Sequence, residues 1–201
     1  MYNWRKMTKK QQEEVLKLRK AHSLPWHGPP HRMSKATLYH ISAANYEHKL
    51  IIGQSEERMA EFEEKLLKTL LNYTKQVFAW CILPNHYHLL IESTNILDTL
   101  KELGRIHGRS SWCWNQKDNS RGRKCWHRST ERAMRTERHK WATSNYIHHN
   151  PVHHQYVKKW QDWPFSSVAR YLEEVGYDAA MERWKLYPLL DYGKGWDNPD
   201  L

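Results

Sequence analysis

The chain's 201 residues are 39% hydrophobic, enough to bury the core of one domain with extensions or of two small domains. They hold no apolar run near the roughly 20 residues of a bilayer span. The charged N-terminus has no signal-peptide core, and Cys81, Cys113 and Cys125 are too few and too far apart for a disulfide framework, so the cytoplasm is expected. The net charge of +10 is concentrated: residues 101–160 hold 14 Lys/Arg against 4 Asp/Glu, and residues 161–201 hold 4 against 8. A local excess of that size favours a polyanion, most simply nucleic acid.

Residues 8–21 read as a short helix with Thr8 as N-cap and Val15, Leu16 and Leu18 as its apolar contacts. The prolines and Gly28 of "HSLPWHGPPHRMS", residues 22–34, make that stretch an arm or linker. Residues 36–45 and 48–53 read as strands close enough for a hairpin. Residues 55–75 form an amphipathic helix, with Ser55 as cap, Glu56 and Glu57 at the positive end of the dipole, and Met59, Phe62, Leu66, Leu67, Leu70 and Leu71 as its apolar side. A buried strand follows (76–83), then a turn at Pro84–Asn85, a returning strand (86–94) and a helix from about Ile96 to Trp114. Residues 115–129 read as a polar, basic loop and 130–149 as a helix ended by Pro151. "WPFSSVARYLEEVG" reads as a turn and short helix. The order, near β-β-α-β-β-α, predicts an α+β chain with a helix-covered antiparallel sheet. The expected division is an arm (1–34), a central domain (35–160) and a C-terminal extension (161–201).

Within the 86–94 strand, "HYHLLIEST", residues i and i+2 share a face. His86 and His88 therefore present two imidazoles to one side, with Tyr87, Leu89 and Ile91 on the other. Paired neutral imidazoles make half of a divalent-ion site. In a chain with 14 histidines about one H-x-H arises by chance, and such a pair can equally hydrogen-bond a helix packed on the sheet. In "SNYIHHNPVHHQYV", Tyr146 and Asn150 stand four apart and share a helix face, with His149 close to it. The plain alternative is a core tyrosine and a helix-terminal asparagine.

Taken together, "PNHYHLLIE", "YIHHNPV" and "WPFSSV", with "LPWHGPPHR" and "YHISAANYEHKLIIG" ahead of them, resemble the REP-associated tyrosine transposases. These are relatives of the IS200/IS605 transposases among the single-strand DNA endonucleases with a histidine–hydrophobe–histidine signature. The likeness runs from about Leu24 to Arg170. It implies a ferredoxin-like fold, Mg²⁺ or Mn²⁺ on His86 and His88, and Tyr146 as nucleophile forming a 5′-phosphotyrosine. It also implies single-stranded or hairpin DNA as partner, no membrane, a monomer or homodimer, and a prokaryotic, nucleoid-associated setting. A glutamine one turn after the tyrosine is the third ligand in IS200-type enzymes; here Asn150 takes that place, with His149 as competitor. Tyr87 is bulkier than the usual middle residue. In this picture Lys101, Arg105, Arg109, Lys117, Arg121, Arg123, Lys124, Arg128, Arg132 and Arg135 grip phosphates. Trp126, with Trp112 or Trp114, stacks on bases, at least one of the latter two being core. A free tyrosine has a pKa of about 10, so its phenol needs a base or a metal's field. Two other classes are weighed beside this one: a non-catalytic nucleic-acid binder with the same fold, and a zinc-stabilised domain using Cys113, Cys125 and His127, whose C-x₁₁-C-x-H spacing matches no trusted zinc pattern.

Overall fold

The computed structural model describes residues 8–21 and 37–189. The chain divides into two compact units, between Lys35 and Ala36. In the first, helix α1 (Lys9–Ala21) opens on a reciprocal cap. Gln11 N–H donates to Thr8 Oγ1 at 3.3 Å, and Thr8 N–H donates to Gln11 Oε1 at 2.9 Å. Leu16 is half-buried. The side chains of Val15 and Leu18, the arm at 22–34 and the end of the expected C-terminal extension lie outside the described residues.

The second unit runs β1 (Leu38–Ala44), α2 (Glu56–Tyr73), β2 (Gln76–Ile82), β3 (His86–Glu92), α3 (Ile96–Lys117), β4 (Thr130–Met134), α4 (Glu137–His153), α5 (Val168–Val175) and α6 (Tyr177–Leu186). The strands lie in the order β2-β3-β1-β4, with every neighbouring pair antiparallel. Strand β3 is inserted between β2 and β1, the split βαβ arrangement of ferredoxin-like α+β folds. Helices cover both faces. On one side Ile41, Tyr87, Leu89 and Ile91 of the sheet join Phe62 and Leu66 of α2 and Leu103 and Ile106 of α3. On the other, Ala79, Cys81 and Leu90 join Tyr146 and Ile147 of α4. A strand covered on both faces is apolar throughout, which is why β3 reads as a run rather than an alternation, and why histidines in it cannot sit idly on a wet surface.

Four sequence expectations need correction. The expected strand 48–53 is two 3₁₀ turns, Tyr46–His48 and Ile52–Gln54. Ile51 and Ile52 are apolar because they are buried in the core, and β1 finds its partners in β3 and β4 instead of in a local hairpin. The expected helix 130–149 begins with β4, paired to β1; α4 starts only after Thr136, whose side chain accepts from His139 N–H. Helix α3 reaches Lys117, three residues past Trp114. Pro151 does not stop α4, which continues to His153. So near the helix end, proline removes one backbone donor and the last residues keep the helical path.

The segment after α4 runs along the outer edge of β2. Ile82 N–H donates to Phe165 O (2.9 Å), Ser167 N–H donates to Trp80 O (3.0 Å), Trp163 Nε1–H donates to Ile82 O (2.9 Å) and Arg170 donates to Val77 O (2.8 Å). Among the described residues, no helix is long and apolar enough to cross a membrane.

Candidate active site

The two histidines project from β3 toward α4, and the register tells what lies beside them. Ala44 pairs with His86, Ser42 with His88 and His40 with Leu90. On the far side of β1, Thr130 pairs with Ser42 and Arg132 with His40. Directly paired residues share a face, so His40, Ser42, Thr130 and Arg132 extend the polar floor from the histidines toward β4. Helix α4 packs on β2 and β3. Opposite the floor, Tyr87 is fully buried, with its hydroxyl 2.9 Å from His107 Nε2. Burial holds the His107 pKa down at about 3, so that ring is a neutral core group.

The turn that launches β3 is clamped by backbone. Gly53 N–H donates to Pro84 O (2.8 Å) and Asn45 N–H to Asn85 O (2.6 Å). A methyl group at Gly53 would stand 2.2 Å from Pro84 Cβ and 2.7 Å from Pro84 Cα, so this close approach requires glycine.

Tyr146 and Asn150 do share a face of α4, and the helix lays them along β3. The Tyr146 ring is 5.3 Å from the His88 ring and 6.1 Å from His40. Asn150 Oδ1 is 3.0 Å from His86 Nε2. The two imidazoles stand 5.1 Å apart, nearly perpendicular. Helix α4 is fixed from its other side by His148, whose Nε2 meets Ser167 Oγ at 2.8 Å; that oxygen also accepts from Trp80 N–H. His149, the competing third ligand, lies elsewhere, 5.3 Å from the Trp184 ring.

Two imidazole nitrogens and an amide oxygen are a donor set suited to a hard or borderline divalent ion. Neighbouring ligands of an octahedral ion at about 2.1 Å stand about 3 Å apart, the separation of His86 Nε2 and Asn150 Oδ1. The Asn150 amide faces His86, and its other end is buried with no hydrogen-bond partner. The residues present fit such an ion. Among the described residues, no three His, Cys, Asp or Glu side chains converge as a metal cluster. The zinc alternative finds its groups committed elsewhere: Cys125 Sγ is 3.3 Å from Asn115 Oδ1, and His127 Nε2 accepts from Glu47 N–H at 3.0 Å.

The proposed DNA-contacting residues divide by environment. Arg105, Arg109, Lys117, Arg121, Lys124 and Arg128 are exposed. Of these, Arg105 pairs with Glu102, Lys117 with Glu61, and Lys124 Nζ stands 4.4 Å over the Tyr46 ring. Arg123 is bound into the fold: with Arg58 it grips Asp118, whose carboxyl is held at about 2, chiefly by the Arg58 hydrogen bond. Trp126 is core, stacked on His107 at 4.1 Å and packed near Trp114 and Phe62. Trp112, 70% exposed, is the tryptophan of this group with an open ring.

Sequence reasoning missed three neighbours of the pair. His40 Nε2 lies 3.1 Å from His88 Nδ1, Asn85 Oδ1 lies 2.6 Å from His86 Nδ1, and the His154 ring is 4.9 Å from His86. A correct β1–β3 register would have exposed His40. Asn85 adjoins the motif itself, and the signal was its amide beside an imidazole.

Comparison with known proteins bears on this geometry. The family model for IS200-like transposases matches residues 33–161. A Haemophilus influenzae protein described as a REP-associated tyrosine transposase is 30% identical over 151 residues, covering 70% of this chain and 78% of that one. A solved structure of a REP-associated tyrosine transposase bound to a REP hairpin superposes with a TM-score of 0.57 at 21% identity, covering 75% of this chain and 88% of its own.

Proposed function

The chain belongs to the IS200-like transposase family, and from that premise we infer that it is a metal-dependent single-strand DNA endonuclease and strand transferase acting at hairpin repeats. The observation that carries this reading is the single face of α4 that sets Tyr146 over His88 and Asn150 against His86. His86, His88 and Asn150 would hold Mg²⁺ or Mn²⁺. When bound, such an ion offsets charge on a non-bridging phosphate oxygen.

The chain's own groups do the rest. Tyr146 Oη attacks phosphorus, a P–Oη bond forms and the P–O3′ bond breaks. The strand leaves as a 3′-OH, the phenol proton being balanced by the proton that the 3′ oxygen gains, and the 5′ phosphate stays on Tyr146. Because the phosphodiester is exchanged and not hydrolysed, a 3′-OH can reverse the step, which suits strand transfer. His40 beside His88, and Tyr146 packed between helix and sheet, limit how the ring can turn. Arg132 on the same floor and the exposed cations Arg109, Arg121 and Arg128 supply contacts for the backbone. Hairpin DNA is the proposed substrate because the structural neighbour is bound to a REP hairpin. The assembly is a monomer or a homodimer, and within one chain α4 brings Tyr146 to the histidines.

The test is a denaturing gel of protein with a pool of 5′-extended single-stranded hairpins, with Mn²⁺ or EDTA, for wild type and Tyr146→Phe. A covalent protein–DNA band is expected that needs the metal and is absent from the variant, with DNA binding retained. No band across the pool with binding intact would make the chain a binder that keeps the fold.

A further inference from the structure

Asn85 stands between a surface turn and a proposed metal ligand, and its orientation is set at both ends. Its Nδ2 donates to the His48 carbonyl at 3.1 Å. A carbonyl only accepts, so Nδ2 is identified independently of the histidine. Oδ1 then faces His86 Nδ1 at 2.6 Å, and since an amide oxygen only accepts, Nδ1 carries the proton. In a neutral imidazole the other nitrogen is then a bare lone pair. Here that nitrogen, Nε2, lies 3.0 Å from the Asn150 amide, whose nitrogen can donate to it and whose oxygen can share a cation with it. An imidazolium would donate at both nitrogens and could not act as a ligand.

The anchor is not a passive surface loop. Glu47 and His48 both adopt left-handed backbone, with φ of 55° and 53°, conformations that cost non-glycine residues energy and persist only where surroundings enforce them. The enforcement is visible: Glu47 N–H donates to His127 Nε2, Asn45 Nδ2 donates to Cys125 O, and Asn85 holds the His48 carbonyl.

We propose that Asn85 is a positioning residue that locks His86 in the Nδ1–H tautomer, aiming the Nε2 lone pair into the site. This role rests on the metal reading given above. Outer hydrogen bonds of this kind usually alter metal affinity by about 10- to 100-fold.

The test uses the full chain as wild type, Asn85→Ala, Asn85→Asp, His86→Ala and His88→Ala. Long-range ¹H–¹⁵N correlation on metal-free protein at mildly alkaline pH reads the His86 tautomer, and Mn²⁺ titration reads affinity. The expected wild-type state is Nδ1–H with Nε2 bare. Asn85→Ala should lose that preference and bind Mn²⁺ about 10- to 100-fold more weakly. Asn85→Asp should keep both, because a carboxylate still accepts from Nδ1–H. Aspartate cannot donate to the His48 carbonyl, so if Asn85 served only the turn, Asp would be as weak as Ala, and the proposal would fail. A wild-type His86 protonated on Nε2, singly or with Nδ1, would overturn it too. Wild type binding no more Mn²⁺ than His86→Ala or His88→Ala would instead overturn the metal reading, and the role of Asn85 with it.

Discussion

His107 shows how one residue can be read two ways until its surroundings are known. In sequence it is one of 14 histidines beside a basic stretch; in the fold it is a neutral ring between Trp126 and the Tyr87 hydroxyl. Its pKa of about 3 in the folded chain lies below the ordinary 6.5 of the unfolded one. Below pH 6.5 the unfolded state takes up a proton that the folded state refuses. The contribution is therefore complete above pH 6.5 and is lost as pH falls from there toward 3, at about 1.4 kcal/mol per pH unit once well below 6.5. Replacing His107 with Gln, which can still meet the Tyr87 hydroxyl, removes that dependence and also the ring stacking. Denaturant titrations at pH 7 and pH 5 should show wild type losing about 2 kcal/mol more than the variant across that interval. Equal losses would mean that His107 is protonated inside the fold. Tyr87 itself answers the doubt its size raised. On the face away from the site it fills core, where a small aliphatic would leave a cavity.

At the level of elements, the Pro84–Asn85 turn is the part on which the histidine strand depends, and Gly53 is its tightest neighbour. Gly53→Ala forces backbone apart at Pro84, an overpacking cost of about 1–3 kcal/mol. Because the same turn carries Asn85 and His86, the substitution should weaken Mn²⁺ binding as well as lower the unfolding midpoint. A midpoint and affinity equal to wild type would show that the turn yields freely. The legible parts of this architecture were those with local causes. Ser55 and the spacing of Met59, Phe62, Leu66 and Leu70 dictate α2 by themselves. The alternation around His86 and His88 dictates which side of β3 they take. Tyr146 and Asn150, four apart, dictate a common helix face. What stayed hidden had distant causes. "TERAM" has no strand pattern of its own and becomes β4 by pairing with β1, some 90 residues earlier. "HKLIIG" has a strand's composition and no partner. His40 was invisible as a neighbour of His88 for the same reason, since only the pairing of β1 with β3 brings them together.

Across the whole molecule the charge is less available than its count suggests. Asp118 holds Arg58 and Arg123, Glu102 holds Arg105, and Glu61 holds Lys117. The exposed arginines Arg109 and Arg121 are the better candidates for phosphate contacts. If each neutralises one phosphate of a single strand, replacing both with Ala should lower the slope of log affinity against log salt by about 1.4. Fluorescence anisotropy with a labelled hairpin at several salt concentrations measures it, and an unchanged slope would place the DNA on another surface. The tie between His148 and Ser167 has a consequence in time. The imidazoles come from the middle of the chain and the tyrosine from α4, and α4 is pinned by a hydroxyl that appears some 20 residues later and belongs to the strip closing the edge of β2. A ribosome making this protein releases the two histidines first, then the phenol, and only afterwards the serine that holds the phenol's helix. Until Ser167 has left the ribosome, the helix that carries Tyr146 lacks this outer tie, so the centre is held in place only once that part of the chain has been made.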